Sequence, residues 1–200
     1  MTDGRRDGRG ITPSQTVGPF FSFALRPAAN TTYVGLASDD LLTEDTVGEP
    51  ILIIGRVLDG EGAAVPDAMI EMWQADGSGR YPGKGAPTNT SFKGFGRSET
   101  SDEGFRFKTV KPGSVSAPDG SRQAPHINIS VFARGILRRM FTRLYFEDET
   151  ANQSDPILAV VPADRRATLI ARRDGTIAGV ACYVFDIRLQ GEGETVFFEA

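Results

Sequence analysis

The side chains able to do chemistry in this chain are few. Its 200 residues include a single histidine, His126. An imidazole can act as a base, shuttle a proton or ligate a metal. His126 lies in PHINIS, residues 125–130, at the entry to an apolar strand, where positions two apart face the same way. His126 and Asn128 therefore share a side. A histidine at 128 would make a metal-binding His-x-His strand. With asparagine there, two readings stay open: an imidazole hydrogen-bonded inside the fold, or one ligand of an iron site. A two-histidine metal site, or a His–His acid–base pair, cannot be built within one copy.

Other candidates are weaker. Ser130 follows His126, but no Gly-x-Ser-x-Gly elbow exists to activate a serine. Tyr81 supplies a phenol in the glycine-rich stretch 75–96, and Arg134 a cation at a hairpin tip. The acidic run Glu147-Asp148-Glu149 could bind a hard cation, but one short run rarely supplies six oxygens and a solvated loop is the better reading. Paired glycines at 77 and 79, 83 and 85, 94 and 96, and 191 and 193 resemble pieces of phosphate loops. None follows a strand and opens a helix, the context that aims backbone N–H groups at a phosphate.

The elements that must hold these residues are mostly strands. Residues 51–58, 68–74, 105–110, 127–133, 137–146, 183–189 and 195–198 carry β-branched or alternating apolar patterns. Arg134-Gly135 turns one pair of them into a hairpin. Residues 163–173 (ADRRATLIARR) read as the one good helix, with Pro162 at its head and basic residues in its last turn. Strands that do not alternate with helices argue against a parallel α/β sheet. The expected fold is all-β: an antiparallel β-sandwich with long loops, one helix late in the chain and an extended N-terminal arm. Residues 1–10 are expected to be a disordered tail, and 11–200 one domain that includes the arm.

Composition narrows the function. Twenty-two Lys+Arg against 26 Asp+Glu leave a net charge of −4, which argues against wholesale binding to nucleic acid or anionic membrane. The longest apolar run falls far short of the roughly 20 residues of a spanning helix. The first ten residues carry no apolar signal region, and a lone Cys182 cannot form an internal disulfide, so the expected compartment is the cytoplasm.

Several blocks together resemble the intradiol ring-cleaving dioxygenases. They are TPSQTVGPF (12–20), EMWQAD (71–76), VKPG (110–113), PHIN (125–128), LYF (144–146), FDIRLQG (185–191) and GEGETVFF (191–198). The resemblance implies a β-sandwich whose Fe(III) is held by two tyrosinates and two histidines, a hard ion matched to phenolate oxygen. Tyr81 matches the first tyrosine and His126 the first histidine. The second tyrosine is missing from Ser114-Val115-Ser116, and Asn128 replaces the second histidine.

The resemblance therefore implies an alpha-type chain with no catalytic residue and no metal ligand set of its own. A partner beta subunit would hold the Fe(III). The implied assembly is a hetero-oligomer of alpha–beta pairs that cleaves protocatechuate with O2 to 3-carboxy-cis,cis-muconate. In it Arg134 matches a residue for the substrate carboxylate, and Thr16, Gly18 and Pro19 match an arm that walls the pocket. Two rivals remain: a metal-free β-sandwich that binds a small ligand through loop 75–96, and an enzyme whose iron site is completed across a homodimer.

Overall fold

The computed structural model describes residues 37–83, 91–117 and 119–199. In chain order its elements are β1 (Pro50–Gly55), β2 (Val57–Leu58), β3 (Met69–Gln74), β4 (Phe95–Glu99), β5 (Phe105–Val110), β6 (Val115–Ser116), β7 (Arg122–Gln123), β8 (His126–Phe132), β9 (Met140–Phe146), α1 (Pro156–Val160), β10 (Ile170–Ile177), β11 (Val180–Val184) and β12 (Ile187–Arg188). No helix among the described residues is long and apolar enough to cross a membrane. The expected tail and the arm carrying Thr16, Gly18 and Pro19 lie outside the described residues.

Eight strands hydrogen-bond in the order β4-β3-β8-β9-β10-β11-β1-β5. The β9–β10 link is only Ile170↔Tyr145 and Ala171↔Phe146, so the ladder divides into two layers. Ile70, Met72, Ile127, Ile129 and Leu144 from one layer and Ile51, Ile53, Phe107 and Tyr183 from the other share one buried core. The period-2 alternation puts these side chains on the inner faces and leaves the outer face of β4-β3-β8-β9 free for other work. Between the layers, buried Gln74 donates to the carbonyls of Ala75 and Val110, both at 2.9 Å, and accepts from the Thr109 hydroxyl at 2.9 Å. Each polar atom of that buried amide is satisfied, as burial demands.

The pairing is antiparallel from β4 to β9, as expected, but β1 runs parallel to β11. Two of the expected strands, 51–58 and 183–189, are broken at the same level. Asp186 accepts from the Arg56 amide at 2.9 Å and pairs with its guanidinium at 2.8 Å. Beyond that tie, β2 pairs with β12 instead.

The expected helix over 163–173 does not form. A 3-10 turn, Arg166–Leu169, leads into β10, which turns back to β11 through Ala178 and Gly179. Both have positive φ, 51° and 82°, the signature of a type I′ hairpin turn. Burial of Leu169 and Ala171 as strand neighbours outweighs the helical propensity of the basic residues. Among the described residues the α-helix lies earlier, where Asp155 caps α1 by accepting from the amides of Ile157 at 2.9 Å and Leu158 at 2.8 Å, with Pro156 in the first turn. The expected strand at 195–198 is reduced to a single bridge, Phe198 to Phe141.

Candidate functional site

Register builds the site. Across the outer face, Phe95 pairs with Trp73, Trp73 with Asn128 and Asn128 with Arg143. One step along, Arg97 pairs with Glu71, Glu71 with Ser130 and Ser130 with Phe141. These two rows floor a pocket of about 430 Å³, with Arg139 at its edge.

Tyr81 reaches the end of this floor on a turn that glycine permits. Asp76 accepts from the amides of Ser78 at 2.8 Å and Arg80 at 3.0 Å, and Gly79 takes φ 76°. A side chain at Gly79 would collide with the Ser114 carbonyl, so glycine is needed to seat this turn on the segment after Pro112-Gly113. The Tyr81 ring then stacks on Trp73, with centroids 5.7 Å apart.

The phenol closes a directional chain. Asn128 Nδ2 donates to the Tyr81 oxygen at 3.2 Å, and that hydroxyl lies 3.3 Å from His126 Nε2. His126 Nδ1 lies 2.8 Å from the Ala124 carbonyl, which can only accept, so Nδ1 carries the proton and Nε2 accepts from Tyr81. The strand entry that carries His126 is itself anchored. Buried Asp155 accepts from the Ala124 amide at 2.8 Å and from the Tyr145 hydroxyl at 3.1 Å. Arg143 donates to Gln123 at 2.8 Å and to Tyr145 at 3.3 Å.

These residues do not suit a ferric ion. Burial, with the Arg143 charge second, pushes the His126 pKa down to about 4, so the imidazole is neutral. Burial raises the Tyr81 pKa, partly offset by Asn128, and keeps the phenol protonated. Asn128 offers a neutral amide, and its Oδ1 is buried without a partner among the described residues. Val115 stands on β6 in the segment where a second phenolate would be required. The set offers one phenol, one imidazole and one neutral amide beside the Arg143 guanidinium, short of the two phenolates and two imidazoles that the resemblance implies. Hard Fe(III) needs anionic oxygen.

The other candidates separate from this cluster. Arg134 lies on the β8–β9 connection, its side chain 76% exposed, with Nε against the Asp67 carboxylate. Ser130 lines the pocket floor. The acidic run is closed by a cation of the chain itself, since Lys111 Nζ meets Asp148 at 3.0 Å and Glu149 at 2.7 Å. Sequence reasoning missed Arg143. A turn on Arg134-Gly135 alone would place Phe141 opposite Asn128; the longer connection brings Arg143 there instead. Asp155 was legible only as an Asp-Pro helix start, a signal that says nothing of Ala124 or Tyr145.

Comparison with known proteins places the chain. The Dioxygenase family model matches residues 18–191. The alpha chain of protocatechuate 3,4-dioxygenase from Burkholderia cepacia is 46% identical over 94% of this chain and 96% of its own length. The beta chain from the same organism is 38% identical over 76% of this chain and 68% of its own. Among solved structures, hydroxyquinol 1,2-dioxygenase from Pseudomonas putida DLL-E4 superposes with a TM-score of 0.63 over 90% of this chain and 67% of that one, at 20% identity, a likeness of fold.

Proposed function

The chain belongs to the intradiol ring-cleavage dioxygenase family, and from that membership we propose that it is the alpha subunit of a cytoplasmic protocatechuate 3,4-dioxygenase. In the assembled enzyme the partner beta subunit holds the Fe(III). Dioxygen opens the protocatechuate ring between its two hydroxyl carbons, and both oxygen atoms enter the product, 3-carboxy-cis,cis-muconate. The observation that carries this division of labour is the hydrogen-bonded Asn128–Tyr81–His126 chain beside Arg143, whose donors are spent on one another and carry no negative charge.

What this chain contributes is recognition. Protocatechuate bears a ring carboxylate, and Arg134 presents a guanidinium for it. Asp67 holds the Nε edge and leaves the two terminal nitrogens for a substrate oxygen pair. Such a fork-to-carboxylate contact strengthens when a closing interface excludes water. Thr16, Gly18 and Pro19 wall the same pocket from the N-terminal arm, where small side chains allow backbone to approach a ligand closely.

Iron content, the visible tyrosinate-to-iron absorption band and protocatechuate-dependent oxygen uptake test the reading. They are measured for this chain alone and co-expressed with a beta chain. The expected outcome is a colourless, inactive lone chain and a coloured, active pair. Colour and turnover from the lone chain would overturn it.

A further inference from the structure

The pocket over β4-β3-β8-β9 carries chemistry that the proposed function does not use. Arg143 donates to two neutral groups, Gln123 and Tyr145, through one terminal nitrogen, Nη1. Its Nε and Nη2 have no acceptor among the described residues. Arg139, at the pocket edge, has no carboxylate partner among them either. The one acid in the lining, Glu71, is already neutralised, since it accepts from Arg97 at 3.1 Å and 2.5 Å. The pocket is therefore electropositive. Its apolar surface is aromatic: Trp73, Phe95 and Phe141 surround the two arginines, and Trp73 is held flat by its stack on Tyr81. A volume of about 430 Å³ falls within the usual range for small-molecule sites.

We propose that this pocket is a second, metal-free binding site, belonging to this chain alone, that takes a small aromatic carboxylate. The guanidinium of Arg143 receives the carboxylate from the floor, Arg139 adds a second donor from the rim, and the ring lies among Trp73, Phe95 and Phe141. A bare inorganic anion leaves those aromatic walls in water; a neutral aromatic leaves both guanidinium groups unanswered. The site stands on this chain's own residues, whatever chain holds the iron.

The test uses the full chain and its single tryptophan, Trp73, which lines the pocket. Benzoate is titrated against Trp73 fluorescence, with benzamide and sulfate in parallel arms. Benzoate is expected to give a saturable change, with benzamide at least about tenfold weaker, the order of a charge-assisted hydrogen-bond pair. Sulfate is expected not to displace benzoate at equal concentration. Arg143→Gln raises the half-saturation concentration by at least about tenfold, and Arg139→Gln raises it severalfold. Arg139 is exposed, so its variant reports even if Arg143→Gln fails to fold. Equal responses to benzoate and benzamide, effective competition by sulfate, or an unchanged midpoint in both variants would each overturn the proposal.

Discussion

The two ends of the β8–β9 hairpin show opposite fates for charged chemistry. At the closed end, His126 is 1% exposed and pairs across the ladder with Tyr145, and the His126 Nδ1 and the Tyr145 hydroxyl are answered from within the chain by the Ala124 carbonyl and Asp155. At the open end, Arg134 projects into solvent, and among the described residues Asp67 is the acid that steadies it. Burial has neutralised the first region, because desolvation disfavours imidazolium and phenolate alike. Exposure leaves the second charged but weak on its own, because water screens a lone guanidinium. The buried end can hold a structure together, whereas the open end becomes specific when another surface closes over it.

The largest effect expected from this contrast is on stability. A folded pKa of about 4 against the ordinary 6.5 means that between those values folding favours the neutral imidazole and releases the His126 proton. Its contribution is present in full above pH 6.5 and is lost as pH falls toward about 4, a total of roughly 3 kcal/mol. Urea unfolding of the wild-type chain across that window should show the decline, and His126→Gln should flatten it. A slope unaltered by the substitution would remove His126 as its source.

At the open end, Arg134→Ala in the assembled enzyme should raise KM for protocatechuate roughly 10- to 100-fold, the loss of a charge-assisted carboxylate contact. Plain catechol, which has no ring carboxylate, should be little affected; equal changes for both substrates would contradict the assignment. Asp67→Asn should sharpen the same point on a smaller scale. Loosening the Nε edge is expected to raise KM for protocatechuate roughly two- to fivefold while kcat holds, as for an exposed ion pair. On the metal no effect is expected from Tyr81→Phe, which should leave the iron content of the assembled enzyme unchanged while it costs the chain about 1 kcal/mol for a lost hydrogen bond. Loss of iron in that variant would move the metal back to this chain.

Tyr81 and His126 were linked only through the family resemblance, and their contact was not read from the sequence. The β-sandwich and the strands around 69–74, 105–110 and 126–132 were legible as pattern, because alternation is a local signal. The helix expected at 163–173 failed for the same reason. ATLIARR has helical composition, but the burial of Leu169 and Ala171 is settled by partners distant in the chain, Tyr145 and Phe146 among them.

By itself the sequence determined which groups this chain lacks: one histidine and no tyrosine in the segment directly after Pro112-Gly113 forbid a two-tyrosinate, two-histidine site of that pattern within one copy, whatever the fold. Only the tertiary structure decided what replaced that chemistry. The length of the β8–β9 connection sets the register, the register puts Arg143 opposite Asn128, and burial then holds Tyr81 and His126 neutral. Absence of a side chain is a property of composition. Charge state and juxtaposition depend on which strands pair and how much water they exclude.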